Sequence, residues 1–447
     1  MQNYHERLNL NHEGQSPAAG SGSLNIQRIW LYGMLLSFFW ELPLFYISNI
    51  NRINPRWYDI FFLLGLAVFN KKLLFQSIEN PVFSAWRNLV VWFGFCAAFY
   101  CLLLPFNIGM FSALCAVRYI QGLLVIKMIL LVPFSREEMA KIVARCCLVG
   151  LGIIAVYCCF EYSSEGGIRE IEISPGRYVR TYGNTLFGPL SFSYFHLAQL
   201  VPLAGVTLLS CLLWRKKGMV WIGLVLLLCW PLFACGSRTG VGILLVIAVL
   251  TILRAVKTQK FGVFWCGLWG VVLLFLAWRY FPLVVEDMTT IARYDEMEHT
   301  DINSIEARLG NWSMLLNIAR YDHSWLLPFF GGGFNVAPIN GGFRIGYGIH
   351  NMVLYPLEQG GIIGFVLFFV FLGTAMKTAW QTMNDNALSF GTFAYLLAAV
   401  IIGGVGAHNF WREFESGNVN TLIVLVCCLA YMPKGKGTTP DENSADQ

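Results

Sequence analysis

Long apolar runs alternate with short polar loops along most of this chain. A helix that crosses a bilayer needs about 20 mostly apolar residues, and runs of that length or slightly shorter recur throughout the sequence. In chain order these runs lie at 29–48, 58–70, 89–106, 113–133, 140–160, 189–213, 219–235, 241–255, 262–281, 351–373, 388–407 and 419–432. The pattern predicts an all-α polytopic membrane protein with about twelve spans, of which 58–70 and 241–255 are short enough to be tilted or broken.

One long polar segment, Tyr280 to Gly364, interrupts the alternation between the ninth and tenth predicted spans. It concentrates arginine, histidine and acidic residues, and it contains no lysine. Asn303 with Glu306 resembles a capping box, and apolar residues recur at helical spacing behind it. We therefore predict an amphipathic helix that carries Arg308, inside an outward loop module at 282–350.

Composition supports a membrane protein and gives no sign of a nucleic-acid partner. Of the 447 residues, 56% are hydrophobic and 13% are charged, whereas soluble domains have about 25% charged residues. The net charge of +5 comes from basic residues scattered among short loops. We predict a disordered cytoplasmic tail at 1–27, one membrane domain at 28–433 and a cytoplasmic tail at 434–447, with the first span as an uncleaved anchor.

The loops on the two sides of the predicted bundle differ in their basic residues. The lysines of the loops all fall on one side, which the positive-inside rule makes cytoplasmic, together with both termini. The opposite side carries arginine alone: Arg52, Arg56, Arg169, Arg177, Arg180, Arg238, Arg293, Arg308, Arg320, Arg344 and Arg412. A guanidinium matches phosphate bidentately, so these loops suggest recognition of a phosphate or carboxylate. The alternative is pairing with acids of the same loops, which are Glu165, Glu170, Glu172, Glu413 and Glu415.

Three residues are candidates for chemistry. Arg238 lies in a tight turn between two apolar runs, where a charge is costly unless it is paired or lines a polar cavity. Arg308 lies beside the apolar stripe of the predicted amphipathic helix. His350 precedes the 351–373 run, and an imidazole suits proton abstraction near neutral pH. The alternatives are a snorkelling arginine, a pair of Arg308 with Glu306, and a histidine that caps or packs.

These residues and their neighbours resemble a known family. Ser237-Arg238-Thr239, then Ala307-Arg308-Leu309 with Trp312, then His350-Asn351 followed by Gly361-Ile-Ile-Gly364, resemble the O-antigen ligase and O-antigen polymerase superfamily across roughly Arg177 to Phe369. The resemblance implies a GT-C-type helical membrane glycosyltransferase of the bacterial inner membrane. It would work on the periplasmic side without metal or cofactor, with 282–350 as its catalytic loop.

The resemblance also implies roles for individual residues. Arg238 and Arg308 match the arginines that hold the donor diphosphate, and His350 matches the histidine that activates the acceptor hydroxyl. We assign Arg177, Arg180, Arg344, Asn351 and Glu358 to binding of the diphosphate or the glycan. The implied partners are an undecaprenyl-diphosphate-linked glycan as donor, a lipid A–core sugar or a lipid-linked repeat unit as acceptor, membrane lipids and a chain-length regulator.

Several alternatives stay open at this point. The spacing after His350 favours a ligase over a polymerase only slightly. The acidic cluster from Asp295 to Glu298, with His299, suits either a divalent metal or a solvated helix, and we favour the helix. From a different class, a transporter or flippase for an anionic lipid-linked sugar fits the topology. Transporters often show repeated halves and broken helices, and neither is evident in the sequence.

Overall fold

The computed structural model describes residues 21–42, 44, 55–69, 75–103, 106–164, 169–174, 177–181, 189, 194–215, 219–234, 238–258, 327–331, 336–339, 342–345, 351–403 and 413–432. Helices make up most of this part of the chain. They are α1 Ser21–Ser37, α2 Trp57–Val68, α3 Pro81–Leu103, α4 Phe106–Leu130, α5 Arg136–Ser164, α6 Tyr194–Trp214, α7 Met219–Leu228, α8 Pro231–Ala234, α9 Arg238–Thr258, α10 Leu327–Phe330, α11 Tyr355–Gln381, α12 Ser389–Gly403 and α13 Glu413–Ala430.

Two short antiparallel hairpins stand beside these helices. Strands β1 Arg169–Ser174 and β2 Arg177–Thr181 form the first, between α5 and α6. Strands β3 Val336–Ile339 and β4 Gly342–Ile345 form the second, between α10 and α11. Both hairpins carry arginines that the sequence analysis assigns to outward loops, Arg169, Arg177 and Arg180 in the first and Arg344 in the second.

Four helices of the described part are long and apolar enough to cross a membrane. They contain the stretches Pro81–Phe99, Arg136–Glu161, His196–Trp214 and Tyr355–Gln381. Shorter apolar helices occupy Trp57–Val68, Thr239–Arg254, Ser389–Gly403 and Val419–Ala430. The helices thus have the length and composition of a helical membrane protein. The total of about twelve spans stays a prediction, and the predicted span 262–281 lies outside the described residues.

The core of the bundle is centred on α13. Every residue from Val419 to Ala430 is buried, and the helix contacts α3, α4, α5, α6, α11 and α12. Such burial requires a helix that is apolar on all sides, which explains why the sequence here has no amphipathic stripe. The other helices pack around α13 and against one another, with α6 second in burial.

Three element boundaries differ from the sequence prediction. Residues 21–27, which we expected in the disordered tail, form the first turns of α1, and Arg28 in the next turn pairs with Glu138 of α5. The predicted span 219–235 is divided into α7 and α8 because Pro231 has no N–H for a helical hydrogen bond. Helix α11 continues to Gln381, eight residues beyond the end of its predicted run.

The ion pairs and hydrogen bonds of the loops separate the bundle into two ends. At one end, which we call the basic end, Arg136 donates to the carbonyl oxygens of Asp385 and Met432, and Arg254 donates to Asn384. The chain direction then places the starts of α6, α9 and α11 and the end of α12 at the other end, which we call the site end.

Candidate functional site

The last turn of α12 connects the starts of α9 and α11 at the site end. The backbone N–H of Met352, just before α11, donates to the carbonyl oxygen of Gly403 over 3.1 Å. A Cβ atom added to Gly242, in the second turn of α9, would lie 3.4 Å from two side-chain carbon atoms of Ile402. The two helix starts therefore lie on either side of one helix end.

Arg238 is the first residue of α9, so its backbone lies at this junction. Two residues further on, Gly240 contacts the start of α6: a Cβ atom there would lie 2.9 Å from the Cα atom of Ala198. Only a glycine allows this approach, and it fixes the start of α9 against α6. The Gly-Ser-Arg-Thr-Gly pattern thus includes a packing glycine in addition to the candidate arginine.

Asn351 forms a buried cap ahead of α11. Its side-chain oxygen Oδ1 accepts hydrogen bonds from the backbone N–H groups of Val353 at 2.8 Å and Leu354 at 3.1 Å. Its carbonyl oxygen accepts from the N–H of Tyr355. These bonds set the direction in which the chain enters α11. His350 is the residue immediately before this cap and lies outside the described residues.

A break in α11 explains the glycines of the family-like motif. Gly361 has φ +61° and ψ −161°, a conformation essentially restricted to glycine. A Cβ atom there would lie 2.2 Å from the carbonyl carbon and oxygen of Phe329 in α10. Gly331, with φ +66°, makes the reciprocal approach, and a Cβ atom there would lie 2.5 Å from the carbonyl carbon of Gln359. The two backbones are in direct contact.

The same break is held from the other side by α3. The indole N–H of Trp92 donates to the carbonyl oxygen of Gly360 over 2.8 Å. This bond gives a partner to a backbone carbonyl beside the break in the helix. The Trp92 ring also stacks on Phe330, with ring centroids 5.5 Å apart. Residues 327–331, which lie inside the long polar segment, are thereby fixed to the first turns of α11.

Glu358 lies in the first turn of α11 and is buried, at 3% exposure. A carboxylate at this position interacts favourably with the helix dipole. Its neighbour Gln359 is buried too. Of the predicted binding residues, Glu358 and Asn351 are thus brought to the site end with the start of α9.

The hairpins position the remaining predicted binding residues. Arg177 and Arg180 lie on β2, and Arg344 lies on β4. The register places Arg180 directly opposite Glu170, one of the acids of the same loop that the sequence analysis gives as its alternative partners. Arg308 and the acidic cluster 295–299 lie outside the described residues.

A buried charged cluster at the site end was not predicted. Glu41 follows α1 and is fully buried, and its Oε2 atom lies 2.9 Å from Nδ1 of His196 and 3.5 Å from Nη1 of Arg56. The backbone N–H of Glu41 donates to the carbonyl oxygen of Pro189. The cluster joins the end of α1 to the starts of α2 and α6, two residues before the Ala198 contact with α9.

The sequence does carry a signal for this cluster. Glu41 is the only acidic residue in the apolar run 29–48, and the run 189–213 contains no Asp, Glu, Lys or Arg and only one histidine, His196. Ionisable groups within apolar runs face the bundle interior and pair with one another. The positions of Glu41 and His196 within apolar runs therefore indicate a buried polar contact for each residue. Among the described residues, no group of three or more His, Cys, Asp or Glu side chains is arranged to hold a metal ion.

Comparison with known proteins leaves the family assignment as a prediction. No protein-family model matches the chain, and no curated protein sequence matches it.

Proposed function

We propose that the protein is a glycosyltransferase of the O-antigen ligase or polymerase type. It transfers a glycan from undecaprenyl diphosphate to an acceptor sugar hydroxyl at the periplasmic face of the bacterial inner membrane. The preferred acceptor is a lipid A–core sugar, as in a ligase of lipopolysaccharide biosynthesis. A polymerase that extends a lipid-linked repeat unit is the second candidate, and a transporter of an anionic lipid-linked sugar is a more distant one.

The observation that carries the proposal is the order of three short motifs, around Arg238, Arg308 and His350, that all occur in outward loops of one predicted topology. The geometry of the described residues supports it. Arg238 begins a helix whose second turn contacts the end of α12, and the cap next to His350 is bonded to the same helix end. Adjacent helix starts can therefore contribute both a group that binds the diphosphate and a base.

The chemistry assigned to these residues is a direct displacement. The acceptor hydroxyl oxygen attacks the anomeric carbon and forms the new glycosidic bond, while the bond from that carbon to the diphosphate oxygen breaks. The electron pair leaves with the lipid diphosphate, and the hydroxyl proton passes to His350. Arg238 and Arg308 stabilise the charge that develops on the leaving group, and the anomeric centre is inverted.

A deletion strain complemented with variants tests the proposal. Surface polysaccharide is compared for wild type, Arg238→Ala, Arg308→Ala and His350→Ala at matched membrane levels. Arg145→Ala serves as the control, because Arg145 is an exposed arginine of α5 whose nearest polar partner is Tyr32. We expect the three site variants to lose polysaccharide attachment or extension and the control to retain it.

The deletion phenotype separates the candidate reactions. A ligase deletion leaves long lipid-linked polymer that is not attached to lipid A–core, whereas a polymerase deletion leaves single repeat units. If all three site variants restore a normal ladder, the catalytic assignment is wrong. A purified protein that moves the lipid-linked sugar across vesicles and retains this activity in His350→Ala would support the transporter.

A further inference from the structure

A second polar cluster lies inside the bundle, away from the helix starts of the candidate site. Asp59 of α2 pairs with the guanidinium of Arg118, in the middle of α4. Gln121 bonds to both partners, accepting from Arg118 at 2.8 Å and donating to Asp59 at 2.9 Å. The backbone N–H of Arg56 adds a fourth bond to the carboxylate. The cluster is neutral as a whole and well bonded.

A small cavity adjoins this cluster where α4 crosses α13. The crossing is close because Gly122 faces Thr421: a Cβ atom on Gly122 would lie 2.4 Å from Oγ1 of that threonine. The cavity has a volume of about 10 Å³. Its walls are Trp86, Arg118, Tyr119, Gly122, Asn420 and Thr421. This space is about that of a single water molecule.

Asn420, one of the wall residues, is a buried amide. It is 2% exposed, and neither its Oδ1 nor its Nδ2 atom has a hydrogen-bond partner among the described residues. A buried polar group without a partner costs about 1–3 kcal/mol, and an amide has both a donor and an acceptor to satisfy. The amide of Asn420 is thus buried beside a cavity of about the size of one water molecule.

The charges and the size of the cavity determine what it can hold. Because Asp59 already neutralises Arg118, the wall has no net charge that would attract an anion or a cation. A lipid head group is many times larger than the available space. Buried waters typically make about three hydrogen bonds to polar groups that have no other partner.

We propose that this cavity is a binding site for one water molecule, which hydrogen-bonds to the amide of Asn420 and the guanidinium of Arg118. The water links the central helix α13 to the charge pair between α2 and α4. It satisfies an amide that would otherwise destabilise the bundle. This site is independent of the glycosyltransferase proposal, since it includes none of the residues assigned to that reaction.

Radiolytic hydroxyl-radical labelling of the full-length protein in nanodiscs tests the proposal, because radicals formed from a bound water oxidise adjacent side chains. Trp86 and Tyr119 line the cavity and are 2% and 6% exposed, whereas Trp30 and Tyr395 are 3% and 1% exposed and do not line it. We expect several-fold more labelling at the first pair. Equal labelling of the two pairs in the wild-type protein overturns the proposal.

Substitutions at Asn420 show whether the label depends on the amide. Asn420→Leu keeps the approximate volume but removes both hydrogen-bonding atoms, so the labelling of Trp86 should fall to the level of Trp30 and the protein should be destabilised. Asn420→Ser keeps a hydroxyl and should retain the label, also where the leucine variant fails to fold. An Asn420→Leu protein that is more stable than wild type, or that is labelled at Trp86 like wild type, contradicts a bound water.

Discussion

The contact between Gly361 and Phe329 makes a specific prediction about stability. In Gly361→Ala, the new methyl group would lie 2.2 Å from the backbone carbonyl of Phe329, and no rotamer change can relieve a clash with backbone atoms. The backbone conformation, with φ +61° and ψ −161°, is also unsuited to any residue with a Cβ atom. Either α10 must leave its place or the break in α11 must change shape.

Two independent terms determine the size of the effect. Holding a residue other than glycine in this conformation costs about 1–3 kcal/mol. Overpacking of a closely packed contact costs a further 1–3 kcal/mol or so. We therefore expect Gly361→Ala to lower the free energy of unfolding by about 2–6 kcal/mol, which is a large part of a typical total of about 5–15 kcal/mol.

The same helix provides the matched control. A Cβ atom added to Gly373 of α11 would meet no atom within 4 Å, so Gly373→Ala should be neutral or stabilise the helix by about 0.5–1 kcal/mol. Reversible unfolding in mixed detergent micelles, followed by tryptophan fluorescence, measures both variants. Equal stability of Gly361→Ala and Gly373→Ala would refute the contact between α10 and α11 and the role given to Gly361.

Two further substitutions test other parts of the site end by the same measurement. Glu41→Gln removes the carboxylate that contacts the buried Arg56 and His196, and it should lower the free energy of unfolding by about 3–5 kcal/mol. Glu138→Gln breaks an exposed ion pair and should lower it by less than about 1 kcal/mol. Similar losses for the two variants would show that the buried cluster is not ionic. Trp92→Phe removes the hydrogen bond to the Gly360 carbonyl and should lower the free energy of unfolding by about 1–3 kcal/mol. Trp380→Phe, at a 63% exposed position, should change it little. A Trp92→Phe protein as stable as Trp380→Phe would argue against the hydrogen bond.

The apolar pattern predicted the helical class of the structure but not the ends of several helices. Hydropathy measures which residues avoid water, and a helix continues beyond its apolar run as long as backbone hydrogen bonds and caps allow. Arg28 and Arg136 illustrate this, since both lie in helices outside the predicted apolar runs and bond to other elements at the basic end. The division at Pro231 was visible in the sequence, because proline cannot donate the helical hydrogen bond.

The sequence indicates a candidate site residue where a charged side chain lies at the edge of an apolar run. We predicted Arg238 because a charge at the edge of an apolar run is costly without a partner, whereas Asn351 came only from the resemblance of His350-Asn351 to a family motif. Glu41 and His196 were missed because they lie in two different apolar runs, and only tertiary packing brings their side chains within 2.9 Å. The break at Gly361 was missed for a similar reason, since glycine is common in membrane helices and only the contact with α10 requires it here.

The position of this break bears on the choice between an enzyme and a transporter. Broken helices in transporters form substrate sites near the middle of the bilayer. In α11 the break comes six residues after the start at Tyr355, about 9 Å along the helix, and the part from Gly361 to Gln381 is about 30 Å long. That part alone is long enough to cross the hydrocarbon core, so the break belongs at the membrane surface. There it fixes residues 327–331 to the start of α11. A break at the surface that anchors a loop differs from the midplane breaks of transporters, and it agrees better with the proposed surface enzyme.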